Sequence, residues 1–526
     1  MQYLVVALVV LALGLCLVGL VLYLAALLAP LMMLFGACAT LVNTCRVLVG
    51  RGIWQPVLVT PNDVVNGTAG LKQRGPFPLD YAWPGYQVAQ WRRDLVALWR
   101  CCADFIRHGW SRGFGYGRGS DLRWGAIGLT VLLWTPVTLG AALGGAVMVV
   151  LGAVVLGISW AAWGTLIGFE RGYDTTVRRL RRAQPSCGVC FHVMTVPAYR
   201  CDGCRTVHRD LRPGLLGAVW RRCGCGQRLP TTVLRASRRL EALCQRCDRP
   251  LQARSGAVTD IRLPVFGPVS AGKTRLVYAG LVALRDRAAA EGAVMAFDDD
   301  TSRQAFEHGA QLIATGGDTA KTPAGQLPPA ITARFRRGQS DKDADQALLH
   351  LFDAAGEFYA NRDDNSELEF LDHAGGLVFV VDPFAVAWVR DQLGGALQDR
   401  LAQAHPATGD PDEVYQVTAR RLQDFGVDTR RKALAIAVVK ADLLTDLPWA
   451  ADLCAGAVRD WLTTAGLDNL VLQAERDFGE VRYFVVSSVT GVHPGSRMSP
   501  AEPFVWLLDR GGFALGRDEQ QTREPA

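Results

Sequence analysis

The segment Gly267-Pro268-Val269-Ser270-Ala271-Gly272-Lys273-Thr274 leaves this chain the least freedom. It fits the spacing G-x-x-x-x-G-K-[ST] of a phosphate loop at every position. In that spacing the glycines let backbone N–H groups turn inward around a β-phosphate. The lysine then reaches the β/γ oxygens, and the threonine hydroxyl can ligate Mg²⁺. Ile261–Phe266 is an apolar, strand-like run just before the loop, and Leu276–Ala290 reads as a helix just after it. A phosphate at the start of that helix meets the positive end of its dipole, and a chance glycine-rich turn would lack such flanks. The expectation is an α/β domain, a P-loop NTPase three-layer sandwich that binds a nucleoside triphosphate with Mg²⁺. Gly267, Ser270, Ala271, Gly272, Lys273, Thr274 and Arg275 are its candidate nucleotide-binding residues. Lys273 is also a candidate catalytic group, and Thr274 a metal ligand.

Downstream, Leu349–Phe352 is a second strand that ends on Asp353-Ala354-Ala355-Gly356-Glu357. An acidic residue at a strand end can hold Mg²⁺ through water, and the glycine of D-x-x-G can bring a backbone N–H to the γ-phosphate. A third apolar run, Ala435–Val439, leads into Lys440-Ala441-Asp442, and Val481–Val486 leads into Ser487-Ser488-Val489. In this order and spacing the four elements resemble the G1, G3, G4 and G5 boxes of GTPases. The resemblance implies that Asp442 accepts hydrogen bonds from guanine N1 and N2. It also implies that the Lys440 stem covers the base and that Ser487 and Ser488 contact guanine O6. Val439 stands where GTPases usually carry Asn or Thr, which sets guanine preference against a generic nucleotide site. Thr322, before Pro323, is the candidate switch threonine for Mg²⁺ and catalysis. Glu357 either orients the attacking water or is a solvated helix-start residue.

Together, the G-P-V-S-A-G-K-T loop, the K-T-P segment, the D-A-A-G-E box and the K-A-D box resemble the double-GTPase class of bacterial conflict systems. The resemblance spans about Thr259 to Gly516, half of the chain. It implies a translation-factor-like GTPase domain associated with defence or programmed responses.

The N-terminal half has another character. No charged side chain occurs from Met1 to Cys45, nor from Trp124 to Phe169. About 20 apolar residues suffice to cross a bilayer, so each block is long enough to span. The first offers one or two helices and is too long for the core of a secretory signal. In the second, Pro136 and Gly144-Gly145 suggest a hairpin of Ile127–Leu143 and Ala146–Ile167. Residues 50–124 hold 10 Lys/Arg against 5 Asp/Glu, and residues 171–254 hold 18 Arg against 5 acids. By the positive-inside rule both flanks of the second block are expected in the cytoplasm, which demands an even number of crossings.

Eight of the 14 cysteines fall in pairs: Cys187 with Cys190, Cys201 with Cys204, Cys223 with Cys225 and Cys244 with Cys247. Such knuckles let two thiolates converge on one tetrahedral ion. Two structural Cys₄ Zn²⁺ sites are expected, paired sequentially in the simplest arrangement and interleaved in the alternative. Disulfides do not suit a reducing compartment, and ribbon-like spacing favours zinc over an iron–sulfur cluster. Cys16, Cys38, Cys45, Cys101, Cys102 and Cys454 show no metal spacing and are expected to be buried thiols.

The expected organisation is a transmembrane block at 1–49, a basic cytoplasmic linker at 50–124 and a transmembrane helical hairpin at 125–169. A zinc-ribbon-like module at 170–254, a GTPase domain at 255–516 and a disordered tail at 517–526 follow. Net charge is +13 over residues 171–254 and −12 over 255–526. The basic region suits anionic lipid or the acidic nucleotide domain, and its few aromatics argue against nucleic acid as a partner. The function read from these features is a membrane-anchored GTPase switch exchanging GTP and GDP and acting on a protein effector. A nucleotide-binding membrane scaffold with negligible hydrolysis, or an ATP-using P-loop NTPase, is the alternative.

Overall fold

The computed structural model describes residues 2–51, 54–71, 81–115, 123–317, 330–353, 369–393, 397–489 and 496–516. Contacts divide the chain into two units: Met1–Glu170 with Pro213–Arg228, and Arg171–Arg212 with Leu229–Ala526. The expected boundary at residue 255 therefore does not separate a cysteine module from a nucleotide domain.

The first unit is built on three long helices, α1 (Gln2–Leu48), α2 (Trp83–Gly115) and α3 (Arg123–Leu180). Where apolar side chains offer the backbone no polar partner, a helix satisfies every N–H and C=O internally, and both charge-free blocks take that form. The expected hairpin in the second block is not formed. Its 58-residue helix runs on through Pro136 and Gly144-Gly145, and neither glycine has positive φ. Of the two, Gly144 serves close approach instead of a turn, as Gly140 and Gly36 do. A Cβ on Gly140 would lie 1.9 Å from the Met33 carbonyl oxygen, one on Gly36 2.1 Å from that of Val137, and one on Gly144 2.9 Å from that of Ala37. Thr40 Oγ1 donates to Gly36 O (3.1 Å) and to Ala141 O (3.3 Å) across the same crossing. Small residues one helical turn apart, with a hydroxyl bridging the backbones, are how apolar helices pack where no hydrophobic drive separates them from lipid. Antiparallel to α3 runs α2: Gly113 meets Thr130, Gly109 meets Trp134 and Trp91 meets Gly152. Helices α1 and α3 are long and apolar enough to cross a membrane. Cys16, Cys38 and Cys45 are exposed on α1, against the expectation of buried thiols, because the surface of that helix is itself apolar.

In the second unit, β1 (Ala198–Arg200) pairs antiparallel with β2 (Val207–His208) and β5 (Glu241–Leu243). The strands β3 (Trp220–Arg222), which belongs to the first unit, and β4 (Arg228–Pro230) flank the Cys223–Gln227 turn. The main sheet comprises β6 (Thr259–Phe266), β7 (Ala293–Ala296), β8 (Ile331–Arg337), β9 (Gln346–Asp353), β10 (Gly376–Val381), β11 (Ala433–Val438) and β12 (Glu480–Val485). Its order is β12-β11-β10-β6-β9-β8-β7. From β12 to β9 the pairing is parallel, and β8 and β7 are joined antiparallel. Alternate residues of the buried strands feed two cores. Leu377, Phe379 and Val381 join one with α6 (Pro411–Asp424) and α7 (Asp468–Asp477). Val378 and Val380 join the other with α4 (Lys273–Ala290), α5 (Asp300–Thr315) and α8 (Glu502–Arg510). A mixed sheet covered on both faces is the α/β sandwich expected of a P-loop domain.

The α1–α3 crossing generates a test. Gly140→Ala, which drives a Cβ into backbone, is expected to lower the thermal unfolding midpoint in detergent, with an overpacking cost of about 1–3 kcal/mol. Gly157→Ala, with nothing within 4 Å of the added carbon, should leave the midpoint unchanged or raise it. Equal behaviour of the two would refute the crossing.

Candidate nucleotide site and cysteine tetrad

The site lies where the central strand has neighbours on both sides: β6 pairs with β9 (Val265 with Asp353) and with β10 (Phe266 with Phe379). Crossovers leave such a switch point in opposite directions and open a crevice beyond the strand ends. Into it turns the Gly267–Gly272 loop. Gly267 has φ 149°, and a Cβ there would lie 2.6 Å from Val380 O, so no other residue fits. Gly272 (φ 90°) caps α4 from the left-handed region, which glycine enters without steric cost. Lys273 is buried, and its Nζ donates to Gly267 O (3.0 Å) and Pro268 O (2.8 Å). Burial lowers its pKa, and the Asp353 charge opposes that shift. Thr274 Oγ1 donates to Asp353 Oδ2 at 2.5 Å, which sets a hydroxyl and a carboxylate, both hard oxygen donors suited to Mg²⁺, side by side.

At the ends of β11 and β12 a second group assembles. Ser487 Oγ donates to Asp442 Oδ1 (3.2 Å), and the Ala441 N–H donates to Val486 O (3.2 Å). Lys440, with φ 58°, reaches Asp382 Oδ2 at 2.6 Å and His405 O at 3.1 Å. Burial raises the pKa of Asp382, and Lys440 together with the N–H groups of Ala407 and Phe384 opposes the rise. The Ser488 carbonyl accepts from Arg275 Nε (3.4 Å), and Arg275 Nη1 also donates to Gly317 O (2.8 Å). Val439, in the place of the usual amide, is 2% exposed and lies 3.9 Å from a Cβ built on Gly272, so it braces the phosphate loop by packing. Lys273, Thr274 and Asp353 thus share one end of the crevice, and Lys440, Asp442 and Ser487 the other. Thr322, Gly356 and Glu357 lie outside the described residues.

Two features escaped the sequence reading. Asp382 ends β10 as Asp353 ends β9, and a carboxylate closing an apolar run was the available signal. The turn at His405–Thr408 lies against the phosphate loop, with Thr408 N–H donating to Val269 O at 3.0 Å. No sequence pattern announces that contact.

Three knuckles repeat one backbone design. In each, the residue four after the first cysteine donates its N–H to that cysteine's carbonyl and has positive φ: Phe191 (57°), Arg205 (61°) and Asp248 (56°). The Cys223–Gly226 turn is one residue shorter, with Gly226 in that conformation. Cys187, Cys190, Cys244 and Cys247 come together, their sulfurs all within 4.8 Å of one another. Cys187 to Cys247 is 3.6 Å and Cys190 to Cys244 is 3.5 Å. Four sulfurs about 2.3 Å from a tetrahedral zinc stand about 3.8 Å apart, so this donor set fits zinc. Sequential pairing is thereby corrected. Cys187 and Cys190 join Cys244 and Cys247 because β5, which ends just before Cys244, pairs antiparallel with β1 and returns the chain toward its first knuckle. Without metal, burial pushes the Cys187 thiol up to about 11.

The mixed sheet with helices on both faces, and the Gly267–Thr274 loop at its strand ends, are consistent with a P-loop α/β fold. A family model described as Double-GTPase 2 matches residues 261–500. Among solved structures the chain is similar to one titled "Crystal Structure Analysis of sup35 complexed with GDP". The two are 15% identical with a TM-score of 0.20, and the match covers 45% of this chain and 38% of that one. The chain therefore spans well under half the length of that neighbour. No curated protein matches it.

The Lys440–Asp382 pair generates a second test. Asp382→Ala is expected to destabilise the protein by about 3–5 kcal/mol, the usual cost of leaving one partner of a buried pair, read from denaturant unfolding. A change within 0.5 kcal/mol would show that the pair orients nothing.

Proposed function

We propose that the chain is a membrane-anchored GTPase whose nucleotide domain is a Mg·GTP-dependent switch in the cytoplasm. The observation that carries this reading is the juxtaposition of Thr274 with Asp353 and of Asp442 with Ser487 along one row of strand ends, inside the Double-GTPase 2 match. Lys273 exchanges the Gly267 and Pro268 carbonyls for β/γ-phosphate oxygens when nucleotide enters. Thr274 and Asp353 would hold Mg²⁺, which would supply charge neutralisation at the phosphates, and Thr322 is the proposed third protein ligand. Gly356 offers its N–H to the γ-phosphate, and Glu357 orients the attacking water. Asp442 accepts from guanine N1 and N2, with Lys440 held over the base by Asp382 and with Ser487 and Ser488 at its O6 edge. Turnover is slow or stimulated by a partner, and the product state releases a protein effector.

Anchoring rests on α1 and α3, and the arginines of residues 171–254 suit anionic lipid. Zinc at Cys187, Cys190, Cys244 and Cys247 is structural. Cys201, Cys204, Cys223 and Cys225 are the knuckle cysteines left for the second ion. The setting in a bacterial conflict system rests on the resemblance stated above.

Titration of the full chain in detergent with GTP, GDP and ATP, each with Mg²⁺, tests the nucleotide reading. The expected result is a guanine preference lost in Asp442→Ala, with phosphate release abolished in Lys273→Ala. Equal or tighter ATP binding refutes the guanine assignment, and GTP binding without turnover supports a scaffold. Metal analysis tests the cysteine sites: two zinc ions per chain are expected, with Cys190→Ser losing one and unfolding more readily. Zinc-free protein of unchanged stability would refute them.

A further inference from the structure

Resting on the GTPase reading above, we propose that the His405–Thr408 turn is a positioning element of the nucleotide site. It braces the phosphate loop against the base-covering lysine and so sets how long a guanine nucleotide stays bound. The turn belongs to neither the phosphate-loop motif nor the K-A-D box. It comes from the segment between β10 and β11, after the helix Leu397–Ala404 and before α6. Its backbone nonetheless reaches both ends of the crevice.

At the phosphate end, the Thr408 N–H donates to Val269 O at 3.0 Å, and the two residues form an isolated antiparallel bridge. The two carbonyls just before Val269, those of Gly267 and Pro268, accept from Lys273 Nζ. The turn thus grips the stretch of backbone that also holds the phosphate-binding lysine. At the base end, Lys440 Nζ donates to His405 O (3.1 Å) and to Asp382 Oδ2 (2.6 Å). The Ala407 N–H donates to that same Oδ2 at 2.7 Å, and the Phe384 N–H to Oδ1 at 3.0 Å. Asp382 is fully buried, and a buried charge is tolerated only while its partners stay in place. The Lys440 stem closes the circuit, since its Cε lies 3.9 Å from a Cβ built on Gly272.

The turn is anchored on both sides. His405 holds φ 45°, a conformation that a residue with a side chain keeps only where its surroundings over-determine it. Its N–H is held by Leu401 O (3.1 Å) and its carbonyl by Lys440. Gly409, at φ 113°, lets the chain leave the turn, and Asp410 then caps α6 by accepting from the Asp412 N–H at 2.8 Å. Ala404 on one side of the turn and Tyr415, Ala419 and Leu422 of α6 on the other belong to one core. A brace fixed to that core holds the two halves of the crevice at a set separation. A ligand that bridges halves already in place loses less freedom on binding, so the brace slows release of GDP and GTP alike.

The test uses the full chain in detergent, with fluorescent GDP and a fluorescent non-hydrolysable GTP analogue as probes. Thr408→Pro removes the N–H that holds Val269, and Asp382→Asn removes the charge that holds Lys440. Each is expected to speed dissociation of both nucleotides about fivefold or more. Thr408→Val keeps the N–H and alters only an exposed side chain, so it should match the wild type. Because both bonds run through one turn, the double variant should release nucleotide about as fast as the faster single one. Independent losses would instead multiply to about 25-fold. A further measurement needs no variant: GDP should slow hydrogen exchange at the Ala407 and Thr408 amides of the wild type. A multiplicative double variant, a folded Thr408→Pro chain with wild-type dissociation, or exchange at those amides indifferent to GDP would each overturn the proposal. A wild-type chain that binds neither nucleotide overturns the GTPase reading itself, and this inference with it.

Discussion

The registers of the central strand decide where everything else can stand. Val265 opposite Asp353 and Phe266 opposite Phe379 bring the ends of β9, β6 and β10 to one level. In-register pairing of β10 with β11 and of β11 with β12 carries that level outward. A one-residue slip would send each side chain to the opposite face, exchanging the two cores and pulling Asp353 away from Thr274. Strands buried on both faces tolerate no such slip. The close pass of Gly267 under Val380 O follows from the same registers, since the loop can turn there only without a Cβ.

The pattern of the candidate nucleotide site was legible because it is local. Phosphate binding needs glycines, a lysine and a hydroxyl at fixed offsets, and those offsets survive as a motif. Strand ends that carry Asp353, Asp442 and Ser487 were legible for a related reason, as polar residues closing apolar runs. Strands β7, β8 and β10 were passed over. The β8 segment, Ile-Thr-Ala-Arg-Phe-Arg-Arg, is rich in arginine, and its charges pair with groups far along the chain, such as Arg334 with Asp298.

Where sequence reasoning failed, one residue type had two uses that only three-dimensional packing separates. A glycine pair inside an apolar run reads as a turn, yet Gly144 serves a helix crossing and leaves α3 unbroken. Cysteine spacing likewise defines knuckles but not partners. Partners depend on which strands pair, and the β1–β5 pairing could not be read from three-residue strands.

That pairing has an energetic consequence. Cys187 and Cys247 are 60 residues apart in sequence with their sulfurs 3.6 Å apart, so a metal held there would close a long loop. Structural zinc contributes about 10–16 kcal/mol in small metal-folded peptides, well above the cost of holding one phenylalanine at positive φ. Zinc bound there would leave a surplus to hold a strained residue against the sheet. Phe191 completes the core that Phe352 and Phe379 begin, and a cut at residue 255 would remove it. The main sheet is therefore finished by a segment that precedes its first strand, and an isolated 255–526 fragment lacks part of its own interior.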